Sequence, residues 1–382
     1  MAAMLLVGPG VPAAHGRGAA SAPGGIPLVE DAPIAYLMDA TTGQVLFARE
    51  EDRRFMPASI AKAMTTLVAF DLLEQGKLTQ TQAFTVRPQT FSQWRGVGST
   101  MFLGANDRVT VDDLLHGVTT VSANDGAIVL AEGAAGSVAN WASLMNRAAR
   151  RIGMADSYFA SPNGWMDEGR TFVTAHDLAL LGQALTMKHP AKYQHYIGKQ
   201  RFRYGSILQP NHDPLSGAVP GADGIKTGFT NQAGYGYLGS VKRGAQRLIL
   251  VVAGSPTNGA RNRASRQLVN WGFTAFDIER VAAPGSMVGK AMVQDGSAPV
   301  VPLITDRPVD VRVPQGRQAE IASRIVYRGP LKAPVVEGET VAMLEVSVSG
   351  LPTYTIPLKA GANISEASLI QRAINGLRRW LS

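Results

Sequence analysis

Near residue 277 the chain changes texture, and that change limits the possible architectures more than any other feature. From there to about residue 360 the sequence is a series of short Val/Ile runs broken by Pro and Gly: VDVRVP, ASRIVYRG, VAMLEVSVSG and YTIPL. Such runs predict an all-β module. Before the change, helical and strand patterns alternate. A chain of 382 residues, at roughly 150 residues per domain, has room for two or three domains.

The first part reads as follows. IAYLMD (34–39) is a strand, Thr42-Gly43 turns the chain and QVLFA (44–48) returns it as a hairpin. Ile60, Met64, Leu67, Val68 and Leu72 recur at helical spacing up to a C-cap at Gly76. Leu114-Leu115 and the run 127–136 predict packed helices, and another spans 140–151. TAHDLALLGQAL (174–185) is a helix with Thr174 as N-cap, and His176 and Asp177 belong to its first-turn chemistry. After residue 233 two strands flank a Gly/Lys/Arg turn, and 265–276 returns to helix. The expected body is α/β, with an antiparallel sheet flanked by helices rather than a doubly wound parallel one.

Composition narrows the chemistry. There are no cysteines, which excludes disulfides, thiolate catalysis and cysteine metal sites and fits an oxidising compartment. The net charge of +8 favours anionic partners such as acidic lipid or wall polymer. Neither zinc-finger spacing nor basic-aromatic interleaving is present, so no nucleic acid is expected as partner. Residues 1–27 are small, apolar and Gly/Pro-rich, and no Lys or Arg precedes the short apolar core Met4–Val7. This is a poor or truncated signal segment, or a disordered leader, and stands outside the fold. No apolar run approaches the ~20 residues of a transmembrane helix. Over 364–382, Leu369, Ile370, Ala373, Ile374, Leu377 and Leu381 share one helical face, while Arg372, Arg378 and Arg379 lie mostly off it. A basic amphipathic helix of this kind suits an anionic membrane surface; docking on its own domain or self-association is the alternative.

Three short segments can carry chemistry. Ser59 and Lys62 in PASIAKAMTT lie three apart on a helix and so share a face. A lysine made neutral by burial or by a second cation could take the serine proton. Pro57 would start that helix and leave the Ser59 N–H near its positive end, where it could hold an oxyanion. Alone, a Ser/Lys pair is a weak pattern. Ser122-Ala123-Asn124 and Lys226-Thr227-Gly228 follow it in order, the latter at the start of a predicted strand. The three match the S-x-x-K, S-D-N and K-T-G set of penicillin-binding proteins and class A β-lactamases, with a different middle residue in the second. Ser122 can relay a proton, and Asn124 can bind a substrate amide and position Lys62. Lys226 adds positive potential that keeps Lys62 neutral and attracts a carboxylate, which Thr227 can hydrogen-bond. Gly228 allows close approach to the strand edge. The Phe229 N–H could complete an oxyanion hole.

With these motifs the sequence resembles the low-molecular-mass penicillin-binding proteins that are serine-type D-alanyl-D-alanine carboxypeptidases. The likeness runs over about residues 34–276; SPNGWMDEG and TAHDLALL resemble two further blocks of that family. The resemblance implies the DD-peptidase/β-lactamase-like transpeptidase fold over 28–276, a C-terminal β-rich domain over 277–363 and a membrane-associating helix over 364–382. It implies Ser59 as nucleophile, Lys62 as general base, Ser122, Asn124 and Lys226 as further catalytic groups, and Thr227, Gly228, Phe229 and Arg261 as substrate-binding residues. Implied partners are peptidoglycan stem peptides ending in D-Ala-D-Ala, β-lactam antibiotics and the inner membrane on its periplasmic side, with no cofactor or metal. Two departures stand out: Ala123 where the family usually carries Gly, and Phe229 where it often carries His. Gln93-Trp94-Arg95 is expected in a loop beside the site. The rival readings are a DD-endopeptidase, a weakly active wall scaffold, and a serine β-lactamase, for which Glu168 would have to activate water.

Overall fold

The structure, a computed structural model, describes residues 29–316 and 319–368. The leader over 1–27 and residues 369–382 of the terminal segment lie outside the described residues. The chain divides into two compact units, one formed by Pro27–Thr41 with Leu46–Thr274, the other containing Ala275 onwards and the hairpin tip Thr42–Val45.

The first unit is built on a five-stranded sheet. Its strands are β1 (Ile34–Asp39), β2 (Val45–Arg49), β3 (Ala222–Thr230), β4 (Gly234–Arg243) and β5 (Gln246–Ser255). Their spatial order is β2-β1-β5-β4-β3, and the β1–β5, β5–β4 and β4–β3 pairings are antiparallel. Leu248 to Ala253 of β5 are all buried, so helices must cover both faces of this sheet. They do so through one glycine each. In α4 (Ala175–Lys188) a Cβ on Gly182 would lie 2.8 Å from Ile249 Cγ2. In α5 (Asn258–Thr274) a Cβ on Gly272 would lie 2.5 Å from Leu37 Cδ2 and 2.8 Å from Leu248 Cδ1. Leu248 and Ile249 point to opposite faces by the two-residue period of a strand, so α4 and α5 sandwich the sheet.

The remaining helices that frame the site are α1 (Lys62–Glu74), α2 (Asn124–Ala135) and α3 (Val138–Arg151). Lys62 to Asp71 of α1 are buried on every side, which makes α1 the central helix of the unit. Thr174 caps α4 by accepting from the Asp177 N–H, as its sequence predicts, and Ser137 caps α3 in the same way.

The second unit is all β. Its strands are β6 (Phe276–Ala282), β7 (Met287–Gln294), β8 (Val300–Ile304), β9 (Val309–Pro314), β10 (Ile321–Val326), β11 (Leu331–Lys332), β12 (Thr340–Val348) and β13 (Tyr354–Ala360). They form a β6–β9 ladder and a six-stranded sheet in the order β10-β12-β13-β8-β7-β11. Alternate residues Ala342, Leu344, Val346 and Val348 are buried, the two-residue period that the sequence texture signals. The terminal segment corrects one expectation. Ile364 bridges to Val335 and Glu366 to Gly296, so the described part of 364–382 is extended and belongs to the β unit. Buried Ile364 and Ala367 explain why: their side chains complete the β core instead of opening a helix face.

At its far end α1 is clamped to two neighbours. Asp71 accepts from Arg151 of α3, from Lys188 Nζ at 2.6 Å, and lies 3.0 Å from His189 Nε2. Burial pushes the Asp71 carboxyl up, but hydrogen bonds from His189 and Lys188 and the Arg151 charge outweigh it and carry it from 3.8 down to about 2. A carboxyl depressed on folding adds stability above its unfolded value, and that stability disappears as pH falls through the folded one. Asp71→Asn is therefore expected to lower stability at pH 7 by about 1–2 kcal/mol, because the half-exposed Arg151 and Lys188 are partly screened. Thermal melts should show the gap between wild type and variant closing between about pH 4 and pH 2.

Candidate active site

Ser59 sits in a single 3-10 turn, Ala58–Ala61, that runs directly into α1 at Lys62. The sequence predicts one continuous helix here; the tighter first turn keeps Ser59 and Lys62 on one face. Lys62 is fully buried and its Nζ lies 2.9 Å from Ser59 Oγ, 2.7 Å from Asn124 Oδ1 and 2.8 Å from the Asn163 carbonyl. Burial, then the nearby Lys226 charge, hold the Lys62 amine well below its ordinary 10.5, against an opposing pull from Asp125. A neutral amine has two N–H donors and one lone pair. Two of its three partners are carbonyl-type acceptors that cannot donate. Only the Ser59 hydroxyl can donate, so in the neutral form of Lys62 the lone pair would face the Ser59 proton.

Each partner is delivered by a separate structural device. The Asn163 carbonyl comes from the loop 161–164, which Thr65 Oγ1 of α1 holds through the Pro162 carbonyl at 2.7 Å. Gly164 permits this docking: its φ is +67, and a Cβ there would lie 1.9 Å from the Ala58 carbonyl oxygen. Asn124 begins α2, and its Nδ2 donates to the Val97 carbonyl at 2.9 Å while its own N–H donates to Ser99. The buried Asp125 carboxylate accepts from the N–H groups of Met101 and Leu103, so α2 organises the whole 97–103 loop. Ser122 precedes it in a left-handed conformation, φ 64 and ψ 32, at the end of a π-helical turn Gly117–Val121. The Ala123 methyl is fully buried; a Cβ on Gly126 or Gly117 would lie 3.2 or 3.5 Å from it, and these two glycines make room for it.

The third motif lies in the middle of β3, the edge strand, and not at the start of a strand. Glycines at 224 and 228 hide the strand pattern, which pairing with β4 over 222–230 restores. Lys226 is buried, donates to the Thr227 carbonyl at 2.9 Å, and has its amine pulled from 10.5 to about 7 by burial and by Arg261. A Cβ on Gly228 would lie 2.4 Å from the Pro57 carbonyl oxygen, so this glycine lets the strand edge close on the Ser59 turn itself. Phe229 is half exposed and stacks on Tyr235 with ring centroids 4.1 Å apart. Arg261, from the first turn of α5, is buried and held by the amide oxygens of Asn258 and Asn262. Among the described residues no carboxylate ion-pairs with it.

These elements enclose a cleft of about 680 Å³ lined by Ser59, Ser122, Asn124, Thr227, Gly228, Phe229 and Arg261, with Lys62 and Lys226 buried behind its wall. All nine residues singled out in the sequence thus come together. The cleft also contains residues the sequence did not point to, notably Trp165, His212 and Asp213. Glu168 is exposed and does not line it. Trp94 does not occupy a loop. It closes a short helix, Pro88–Trp94, started by its proline, and reaches the cleft only through an edge contact with Trp165 at 6.2 Å.

The family model for D-alanyl-D-alanine carboxypeptidases matches residues 22–257, and that for the C-terminal domain of penicillin-binding protein 5 matches 276–366. The chain is 32% identical over 336 residues to the D-alanyl-D-alanine carboxypeptidase DacA of Haemophilus influenzae, covering 87% of this chain and 85% of that one. The chain belongs to the D-alanyl-D-alanine carboxypeptidase family. Its structure superimposes on penicillin-binding protein 5 from Haemophilus influenzae with a TM-score of 0.75 at 31% identity, over 88% of this chain and 98% of that one. Penicillin-binding protein D2 from Listeria monocytogenes, in its ampicillin-bound form, gives 0.57 at 27% identity over 64% of this chain and 98% of that one. The carboxypeptidase fold, with its antiparallel sheet, flanking helices and separate β-rich domain, is that expected from the sequence.

The docking of the 161–164 loop gives a test inside this fold. Gly164→Ala should destabilise by more than about 2 kcal/mol, since it adds both a left-handed strain and a clash with Ala58. Gly169→Ala, with φ +81 but nothing within 4 Å of the new Cβ, should cost only about 1 kcal/mol. Urea midpoints of the two variants check the difference.

Proposed function

We propose that the protein removes the terminal D-alanine from peptidoglycan stem pentapeptides through an acyl-enzyme on Ser59. The observation that carries this reading is the Lys62 amine, buried among acceptors with its lone pair left for the Ser59 hydroxyl. In the first step Lys62 takes the Ser59 proton as Oγ bonds to the carbonyl carbon between the last two D-alanines. The carbonyl oxygen becomes an oxyanion, stabilised by the N–H groups of Ser59 and Phe229. The tetrahedral species collapses, the C–N bond breaks, and the leaving amine of D-Ala takes a proton relayed through Ser122. Water then attacks the ester, delivers a proton back to Ser59 and frees the shortened stem. Thr227, Arg261 and the Lys226 cation would hold the terminal carboxylate. The amide-held guanidinium of Arg261 supports this, because among the described residues no carboxylate forms a salt bridge with it.

A β-lactam ring presents a similar carbonyl and a nearby carboxylate, so it would acylate the same serine and leave it slowly. Glu168 is exposed and away from the cleft, which disfavours a lactamase that needs a glutamate to activate water. The protein is further proposed to work at the periplasmic face of the inner membrane, attached peripherally through the basic, amphipathic residues after 368. Co-sedimentation with phosphatidylglycerol vesicles should occur for the full chain and be lost on deleting residues 369–382.

The decisive assay is D-alanine release from a peptide ending in L-Lys-D-Ala-D-Ala. One D-Ala per peptide is expected, falling to background in Ser59→Ala together with covalent penicillin labelling. Release only from crosslinked dimers would instead make it an endopeptidase. The electrostatics add a pH prediction. Acylation needs neutral Lys62, so its rate rises with pH through the Lys62 titration. The Lys226 cation lowers that titration, and Lys226→Met should therefore move the acid limb of the acylation profile to higher pH while also slowing the reaction. A stopped-flow pH series with a fluorescent penicillin reads the shift.

A further inference from the structure

On the wall of the first unit, away from the cleft, two imidazoles and a carboxylate converge. Asp112 and His116 lie four residues apart on the short helix Val111–His116, and His195 comes from the helix Pro190–Tyr196. The four-residue spacing puts Asp112 and His116 on one helical face. His195 Nε2 is 3.4 Å from Asp112 Oδ1, His116 Nε2 is 4.0 Å from Asp112 Oδ2, and one ligand atom from each residue lies within 4.8 Å of the others. None of the three lines the cleft.

We propose that Asp112, His116 and His195 form a site for a divalent transition metal, zinc by donor type. Zinc binds imidazole nitrogen and carboxylate oxygen at about 2.0–2.2 Å, which in a tetrahedron sets ligand atoms about 3.3–3.5 Å apart. One of the three separations already has that length, and the other two, both within 4.8 Å, would have to shorten as the side chains close on the ion. His195 hydrogen-bonds Asp112 directly at 3.4 Å, whereas His116, at 4.0 Å, is too far from the carboxylate for a hydrogen bond. Two imidazoles with one carboxylate suit zinc rather than magnesium or calcium, which prefer all-oxygen sets.

The surroundings hold the ligands in place. Tyr196 donates its hydroxyl to Asp112 Oδ1 at 2.8 Å and accepts from Gln80 Nε2 at 2.8 Å, the kind of outer partner that fixes a metal-binding carboxylate. The His116 ring stacks on Phe202 and packs against Tyr196. The half-exposed His195 and Asp112 leave the fourth position to solvent. The metal would join the helix Val111–His116 to the helix Pro190–Tyr196 just before the turn Gly117–Val121 that presents Ser122. Thr119 Oγ1 already bonds the Tyr196 carbonyl at 2.8 Å along the same seam.

The test uses the full chain stripped of metal with a chelator, and reads binding rather than turnover, so it is independent of the proposed peptidase activity. Calorimetric titration with zinc chloride should give one saturable site, and saturating zinc should raise the melting temperature. Cobalt(II) in the same site should show visible absorption of the intensity that tetrahedral coordination gives. His195→Ala and Asp112→Asn, both at partly exposed positions, should fold normally by circular dichroism and bind zinc at least tenfold more weakly, since even outer-shell changes cost 10–100-fold. No saturable zinc binding by the wild type, unchanged affinity in both variants, or equally tight binding of magnesium would overturn the proposal.

Discussion

The site depends on the burial of one lysine. An ammonium at the position of Lys62 would be costly to remove from water, and its three neighbours could each accept from it but none carries a charge to balance it. Burial therefore favours the neutral amine over the ammonium, and the neighbouring Lys226 charge pushes the same way. Much else serves that geometry. Thr65 and Gly164 bring the Asn163 carbonyl in, Asn124 opens α2 at the right height, and the tight turn before α1 sets the serine three residues back on the same face.

The second constraint is the edge of the sheet. β3 passes close to the Ser59 turn, and Gly228 is what allows contact with Pro57 and Ile60. The cleft then gathers Lys226 and Arg261 around one lining acid, Asp213, whose carboxyl is itself pushed up by burial. Positive potential concentrated in a half-enclosed space selects for an anionic end group. The sandwiching of the sheet by α4 and α5 supplies the rigidity on which this edge is hung, and Arg261 is carried by one of those two helices.

Most of the frame was legible because it rests on periodic signals: the hairpin at 34–48, the strands after 233, the Thr174 cap and the two-residue alternation of the β unit. Seven of the site residues lie in three motifs, and Phe229 adjoins the last, so ordered short patterns sufficed to bring Lys62 together with groups such as Asn124, 62 residues away along the chain. What stayed hidden shares a property. Asn163 acts through its backbone carbonyl, which no side-chain pattern reports. His212 and Asp213 enter the cleft from a loop with no periodicity. The Ser59 turn and the turn before Ser122 are 3-10 and π variants, set by tertiary packing rather than local propensity. Residues 364–368 read as the start of an amphipathic helix, yet Ile364 and Glu366 form isolated bridges to Val335 and Gly296. His195 approaches His116 only once two short helices pack, so no spacing in the sequence announces that cluster.

Two residues without the freedom of glycine hold left-handed backbone at the site, Ala58 at φ 49 immediately before Ser59 and Ser122 at φ 64. Each such conformation costs on the order of 1–3 kcal/mol and persists only where surrounding structure over-determines it. Here the over-determination is visible. The Ala58 carbonyl abuts Gly164, and Ser122 is trapped between a buried π-helical turn and the first turn of α2, with the Ala123 methyl seated among glycines. The strain is placed at the two hydroxyls that must point into the cleft, and the packing that enforces it is the same packing that keeps Lys62 dry. The orientation of the Ser59 and Ser122 hydroxyls and the burial of Lys62 therefore rest on the same packing, and a change that relieves one should disturb the other.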